Sequence, residues 1–371
     1  MSSLEEYASK TKGKNVLIFG LGIQGGGVGC VRFFSRFTDK IRVTDLKNKE
    51  QLAVSLEEIK YIPVSLTLGK HTEEDVRWAD IIVVNQDVWN KAPNSPFIAL
   101  ARKLGKQIET ETGLFLELAQ CPVIGVTGTR GKTTTTVAIA QMLTKAGKKV
   151  VLGGNIPQSQ NLELLFETKD ADYAVLELSN FQLRGAHLKK VSPHISVITS
   201  ISPDHLISYP SMEEYISDKK AIYRYQGNED YLVVKQNDIY GEQFASEAVS
   251  QVRYFSSETL PSDWQLTLPG IHNRENLGAA FVVGRLVGLS EPDIKKTLTE
   301  FEGVAYRLER IADINGVTFI NDTTATTPTA AQIALRSFPK GKIIWIAGGN
   351  SKQLPVEDLV KTASETVKRV V

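Results

Sequence analysis

The chain has 371 residues, with 43 Lys+Arg against 42 Asp+Glu and a formal net charge of +1. That balance supplies no basic footprint for nucleic acid or an anionic membrane, and 42% hydrophobic with 23% charged residues excludes disordered and fibrous classes. Cys30 and Cys121 cannot form a disulfide framework, no apolar run approaches the roughly 18 residues of a membrane span, and the start MSSLEEYASKTKGKN lacks a signal-peptide core. The expectation is a soluble, cytoplasmic protein of several domains with no nucleic-acid or membrane partner.

In chain order, segments of type strand–glycine turn–helix recur, which predicts an α/β architecture with mainly parallel sheets. The first is NVLIF (15–19), the turn Gly20-Leu-Gly22-Ile-Gln-Gly25, a helical stretch to Phe37, and a strand at 41–44 ending at Asp45; IIVV (81–84) follows. A second start is PVIGV (122–126), with a glycine turn at 128–132, a helix through Leu143, and the strands YAVL (173–176), ISVI (195–198) and YLVV (231–234). A third is KIIWI (342–346), followed by Gly348-Gly349. Three successive domains are predicted, at 1–109, 110–300 and 301–371. The third reads as incomplete: after one helical stretch (355–367) the chain stops at Lys368-Arg369-Val370-Val371, the opening of a strand. An open sheet of two or three strands is poorly covered on its edges, so a fragment of a longer domain is expected.

The pattern Gly20-x-Gly22-x-x-Gly25, between a strand and a helix with Asp45 further on, has the form of a dinucleotide-binding turn. Its glycines let a phosphate approach the backbone at a helix N-terminus, and the carboxylate can accept from a ribose hydroxyl. Any tight strand-to-helix turn tolerates glycine, so the nucleotide is not identified by this motif. The stretch Gly125-Val-Thr-Gly128-Thr129-Arg130-Gly131-Lys132-Thr133-Thr134 is more specific. Successive backbone N–H groups wrap phosphate oxygens, Lys132 neutralises the β/γ region, and the Thr133 hydroxyl can ligate Mg²⁺. It departs from strict Walker spacing, because Val126 stands where the first glycine belongs. The reading is a nucleoside triphosphate site.

Glu177, at the end of an apolar strand beside that loop, can hold magnesium directly or through water, or be a solvated strand end. His205, in Ser202-Pro-Asp204-His205, is a ligand or a structural histidine. If residues 211–225 are helical, Met212, Ile216, Lys219 and Tyr223 form one stripe and Glu213, Ser217, Lys220 and Arg224 a polar one beside it. Lys220 is then solvated, while Lys219 occupies an apolar position. It must snorkel, find a partner, or be chemically changed.

Together these residues resemble the Mur ligase family. The motifs are VTGTRGKTTTT (126–136), GGNI (153–156), LELSNFQL (176–183), PDHL (203–206), YISDKKAIY (215–223), GIHNRENLGAA (270–280), RLE (307–309) and NDTTATTP (321–328). Within the family, GLGIQG (20–25), LGKHTEED (68–75) and NSPF (94–97) look most like its D-glutamate-adding branch. The resemblance implies a Rossmann-like UDP-binding domain, a central ATP-binding P-loop domain and a Rossmann-like amino-acid-binding domain. It implies an ATP-dependent ligase that joins D-glutamate to UDP-N-acetylmuramoyl-L-alanine through an acyl phosphate, in peptidoglycan precursor synthesis; a monomer is the expectation beside it. Gly22, Ile23, Gln24 and Asp45 become uridine-diphosphate contacts and Asn155 a muramoyl contact, so that the first turn holds UDP rather than NAD, with an NAD-dependent oxidoreductase kept as a rival reading. Gly128 to Thr134, Asn273, Asn276, Arg307 and Asp322 become ATP-side residues. Thr133, Glu177, His205 and Lys219 become the ligands of two Mg²⁺ sites, with Lys219 carbamylated. Tyr306 stands where the family's histidine is usual, Thr324 where a lysine is frequent, and Lys352 is the remaining candidate for the D-glutamate carboxylate. Two alternatives stay open: a catalytically impaired nucleotide-binding remnant, and a ligase for a different amino acid.

Overall fold

The computed structural model describes residues 4–91, 95–156, 160–202, 209, 211–350 and 354–371. The chain divides into two compact units, Met1–Lys132 with Gly147–Arg253, and Thr133–Ala146 with Tyr254–Val371.

The first unit opens with α1 (Leu4–Thr11), β1 (Val16–Phe19), α2 (Gly26–Ser35), β2 (Ile41–Asp45), α3 (Ala53–Glu58), β3 (Ser65–Leu68) and α4 (Glu73–Trp78). It continues through β4 (Ile81–Val84), α5 (Gln86–Lys91), α6 (Pro96–Lys103), β5 (Gln107–Glu109) and α7 (Glu111–Leu118). The strands pair in parallel in the order β3-β2-β1-β4-β5. VLIF and IIVV are buried at every position, as central strands covered on both faces require. Because the order reverses at β1, the chain leaves β1 and β4 in opposite directions and opens a crevice at their C-terminal ends.

A second parallel sheet follows, built from β6 (Val123–Thr127), β7 (Val150–Gly154), β8 (Tyr173–Glu177), β9 (Ile195–Ile198), β10 (Tyr231–Lys235) and β11 (Gln251–Phe255). Its order is β11-β10-β9-β6-β8-β7, with parallel pairing from β10 through β7. Between these strands run α8 (Lys132–Lys145), α9 (Asn161–Leu164), α10 (Asn180–Lys189), α11 (Met212–Lys220) and α12 (Ile239–Glu247). Here the order reverses at β6, so the loop after β6 opens between the ends of β8 and β9. Ser179 closes α10 with a capping box through Gln182, and Ser211 caps α11 by accepting from Glu214 N–H. The helix expected over 211–225 ends at Lys220, because Ala221, Ile222 and Tyr223 donate to carbonyls three residues back and the ladder tightens into turns.

The second unit holds α8 from Thr133 onward, α13 (Ile271–Leu286), α14 (Glu291–Thr299), β12 (Glu309–Ile314) and β13 (Val317–Asn321). It ends with α15 (Pro328–Arg336), β14 (Ile343–Trp345), α16 (Glu357–Thr366) and β15 (Val367–Val370). A side chain at Gly284 of α13 would lie 2.9 Å from Met142 and from Ile294, so these three helices approach at that glycine. The antiparallel hairpin β12–β13 departs from the expected parallel pattern. Its two-residue turn, Asn315-Gly316, has positive φ at both positions (52° and 78°), the geometry Asn-Gly adopts in tight hairpins. The strand expected at the chain's end is β15, parallel to β14.

Candidate functional site

The crevice of the first sheet is shaped by its glycine turn. Gly20 (φ 101°) faces the start of α5 so closely that a Cβ would lie 2.8 Å from Val88 and 2.9 Å from Asn85. Asp45, buried at the end of β2, accepts from Gly22 N at 2.9 Å through Oδ2 and from Lys47 N at 2.8 Å through Oδ1. The carboxylate read as a ribose acceptor therefore also holds the turn in shape. A cavity of about 260 Å³ opens here, lined by Gly22, Ile23 and Gln24 of the turn, by Lys47, and by Asn155, Phe181 and Gln182. Phe181 and Gln182 are pocket residues that sequence reasoning missed as site residues. The LELSNFQL motif contained them, but only the folded α10 aims them at the first sheet's crevice.

The same cavity is walled by Glu111, the first residue of α7. Its carboxyl is pushed up to about 7, chiefly by desolvation, against hydrogen bonding from Asn161. Close packing fixes this wall: a Cβ on Gly185 of α10 would sit 2.2 Å from the Thr110 hydroxyl at the start of α7.

The phosphate loop follows β6. Gly128 (φ 146°) lies where a Cβ would meet Thr199 Oγ1 at 2.0 Å, and Gly131 has φ 83°, so both need glycine. Thr129 N donates to Ser200 O at 2.6 Å, and Thr129 Oγ1 donates to Ser202 O at 3.0 Å and lies 2.9 Å from Tyr215 OH. Arg130 N donates to Ser200 Oγ at 3.2 Å, while Thr199 Oγ1 donates to Arg130 O. Lys132 Nζ donates to Gly128 O (3.0 Å) and Thr129 O (3.1 Å). Lys219, only 1% exposed, sends its Nζ to the same Gly128 O at 3.1 Å, over the ring of Tyr215 at 4.7 Å. Two lysine side chains therefore converge on one loop carbonyl.

Lys219 is buried as its stripe required, which removes the snorkelling reading. Lys220 corrects the expectation of a merely solvated residue: it pairs with Glu247 of α12 at 2.6 Å with its side chain 14% exposed. Glu177 is buried at the end of β8, in register with Val126 of β6 and Gly154 of β7, and its Oε1 accepts from Asn155 Nδ2 at 3.1 Å. Asn155 thus touches both the cavity and the carboxylate beside the phosphate loop.

In the second unit, Thr133 and Thr134 lie in the first turn of α8, with Thr134 buried. Asn273 and Asn276 are buried on α13, Asn273 donating to Pro269 O at 2.8 Å and Asn276 O accepting from Thr135 Oγ1 at 3.4 Å. Arg307 is exposed, and Asp322 accepts from Leu308 N at 3.1 Å; burial raises its carboxyl against the lowering effects of that bond and of Arg307. The two departures from the family pattern meet: Thr324 Oγ1 donates to Tyr306 O at 2.8 Å, and Tyr306 carries a positive φ of 66°. His205 and Lys352 lie outside the described residues. Among the described residues no three His, Cys, Asp or Glu side chains converge as a metal site. Of the expected ligands Glu177 and the Thr133 hydroxyl offer oxygen, whereas an amine at Lys219 offers none, so Lys219 fits a cation only if it is converted to an oxygen donor.

Two parallel sheets whose reversal points carry a glycine-rich turn and a phosphate loop define a nucleotide-dependent α/β enzyme of several domains. Solved structures share this fold: the UDP-N-acetylmuramate–alanine ligase of Thermotoga maritima (TM-score 0.56, 18% identity, 96% of this chain and 90% of that one) is one. The UDP-N-acetylmuramoylalanyl-D-glutamyl-2,6-diaminopimelate–D-alanyl-D-alanyl ligase of Acinetobacter baumannii is another (TM-score 0.57, 19% identity, 91% of this chain and 78% of that one). Residues 126–261 match the Mur ligase middle domain. The chain is 36% identical to the UDP-N-acetylmuramoylalanine–D-glutamate ligase of Roseiflexus sp. (strain RS-1), covering 97% of this chain and 83% of the relative. It is 35% identical to the enzyme of that name from Acetivibrio thermocellus, covering 100% and 82%. The chain belongs to the Mur ligase family. No helix among the described residues is long and apolar enough to cross a membrane.

Proposed function

We propose that this chain is an ATP-dependent ligase that joins D-glutamate to UDP-N-acetylmuramoyl-L-alanine in the cytoplasm, acting as a monomer in peptidoglycan precursor synthesis. The observation that carries the reading is the Asn155–Glu177 hydrogen bond, which couples the nucleotide-sized crevice to the phosphate loop. A substrate held by its UDP end in the first crevice would extend its carboxylate past Asn155 toward the γ-phosphate of ATP. The relatives' names supply the substrates, and three domains, 1–109, 110–300 and 301–371, are the division we propose for these roles.

In this reading the Gly20–Gly25 turn, with Gly22, Ile23, Gln24 and Asp45, binds the uridine diphosphate, and Asn155 orients the muramoyl portion. Gly128 to Thr134 cradle the triphosphate, with Asn273 and Asn276 on the adenine side and Arg307 and Asp322 meeting the nucleotide from the linker to the third domain. The substrate carboxylate attacks the γ-phosphate, giving an acyl phosphate and ADP; the amine of D-glutamate then displaces phosphate through a tetrahedral intermediate. Both steps bring anions together, so Lys132 acts by position and charge rather than as a base. Two Mg²⁺ ions, when bound, supply further neutralisation of phosphate charge; Thr133, Glu177, His205 and a carbamylated Lys219 are the residues that would hold them. Lys352 is proposed to receive the D-glutamate carboxylate.

The test pairs calorimetry with one variant. UDP-N-acetylmuramoyl-L-alanine should bind the native chain and NAD should not, and Lys132→Ala should lose ATP affinity while keeping UDP-sugar affinity. Micromolar NAD binding without a response to the UDP-sugar, or an unchanged ATP affinity in the variant, would sink the reading.

A further inference from the structure

Glu111 is the one acidic side chain among the described residues that line the crevice cavity, and Lys47 the one basic side chain. A carboxylate in the wall of a pocket that takes a diphosphate needs a reason, since like charges repel strongly where water is scarce. The geometry supplies one. Glu111 Oε1 accepts from Asn161 N at 3.1 Å. The Asn161 side chain in turn grips Gly154 on both sides, its Oδ1 accepting from Gly154 N at 2.7 Å and its Nδ2 donating to Gly154 O at 3.3 Å. The next residue is Asn155, tied to Glu177. The other oxygen, Oε2, faces the first residue of α2: a Cβ on Gly26 would lie 3.2 Å from it. One carboxyl group is therefore bonded to one wall of the crevice and faces the other, at the helix start where an anionic ligand is favoured.

We propose that Glu111 is a positioning and specificity residue for the UDP-sugar: it sets the Gly154–Asn155 turn through Asn161, and its neutral form admits the diphosphate while its carboxylate opposes it. This rests on the UDP-sugar reading above. The ligand's two phosphate charges and the Glu111 carboxylate compete for the same N-terminal end of α2. The proton required comes from solvent and returns to it on release. Among the described residues lining the cavity, Cys30 and Lys47 are the other ionisable groups. On α2 the Cys30 thiol is pushed well up, by burial first and then by Glu111 itself. From α9 and the β7 turn come the uncharged Asn161 and Asn155, from α10 the uncharged Phe181 and Gln182, and across the cavity stands Lys47. Loss of solvent contact holds the Glu111 carboxyl near neutrality, in the range where a proton can be exchanged under working conditions.

The experiment measures Kd for UDP-N-acetylmuramoyl-L-alanine with the whole chain at pH 6 and pH 8.5, in native protein, Glu111→Gln and Glu111→Ala. Native affinity should fall about tenfold between the two, as one unit of ligand-induced pKa shift implies. Glu111→Gln keeps an acceptor for Asn161 and should bind with no such slope. Glu111→Ala loses the acceptor and should raise KM at every pH with a smaller effect on kcat. If a variant fails to fold, native protein alone decides: calorimetry at pH 7.5 in two buffers of different ionisation enthalpy should show proton uptake on binding. Parallel slopes in native and Gln proteins, or binding with no proton uptake, would overturn the role of Glu111. Absence of UDP-sugar binding by native protein at any pH would instead remove the pocket reading itself, and this inference with it.

Discussion

Replacing Lys219 and Lys220 separately by alanine is the sharpest probe of the phosphate site, because neighbouring residues of one type have opposite surroundings. Lys219 is 1% exposed and shares the Gly128 carbonyl with Lys132, while Lys220 reaches Glu247 across α11 and α12. Removing Lys219 leaves Gly128 O still bonded to Lys132, so the loop keeps its shape; what is lost is the group that either balances phosphate charge or, as a carbamate, ligates Mg²⁺. Loss of one preorganised group at such a site costs about 3 kcal/mol, or roughly a hundredfold in kcat. Lys220→Ala removes a partly exposed ion pair, worth about 0.5 kcal/mol, and leaves Glu247 bonded to Tyr223 at 2.9 Å. It should lower Tm by a few degrees at most and leave turnover within about twofold. The assay is phosphate release with ATP, UDP-N-acetylmuramoyl-L-alanine and D-glutamate, with circular dichroism to confirm folding, and short carboxylic acids added to test chemical rescue of the Lys219 variant. A folded Lys219→Ala protein with near-native turnover, or a Lys220 variant that is the more sensitive one, would refute both the burial-based reasoning and the carbamate assignment.

Two further outcomes follow from the geometry. Gly154→Ala should destabilise by about 3 kcal/mol or more, because φ is 99° and the new Cβ would lie 2.0 Å from Glu177 O; urea unfolding measures this, and a loss below about 1 kcal/mol would contradict the close approach. Glu111 makes stability depend on pH in a defined direction. Its folded pKa of about 7 exceeds the ordinary 4.5, so the folded state binds the extra proton and stability falls as pH rises from about 4.5 to about 7. Allowing for partial exposure the loss is about 2 kcal/mol, and Glu111→Gln should remove it. Urea midpoints for native and Gln proteins at pH 5 and pH 8 test this, and a difference between the two proteins that does not grow with pH rules it out.

What was legible beforehand divides along a physical line. Local chemistry writes itself into short stretches: the two glycine turns fall between strand and helix as read, because positive φ favours glycine at Gly20, Gly128 and Gly131 and a Cβ at either of the first two would clash. Lys219 was legible for the same reason, since helical period alone puts it among Met212 and Ile216. The partner of Lys220 was not, because Glu247 lies 27 positions away on another helix and no local pattern announces it. Asp45 was half legible: its place at a strand end was plain, but its grip on Gly22 and Lys47 depends on how the turn folds back. The β12–β13 hairpin carries a strong turn signal at Asn315-Gly316, yet it lies outside the strand–glycine turn–helix pattern that marks the parallel strands.

Glu111 shows the limit most clearly. In the sequence it is an unremarkable acid one residue after Thr110, at a helix N-terminus where ionised carboxylates are ordinarily stabilised. Its helix position alone would lower its pKa; desolvation in the crevice wall raises it instead. That reversal rests on Gly113 and Gly185, which let α7 and α10 approach until a Cβ on either would clash with the Thr110 hydroxyl, and it prevails over the lowering hydrogen bonds that Asn161 brings from a third segment. A titratable group acquires its character from every element that shuts water out around it. Residues whose chemistry is set by their own helix or turn can therefore be recognised early, whereas a residue such as Glu111, assembled from three distant segments, becomes visible only once the crevice has closed around it.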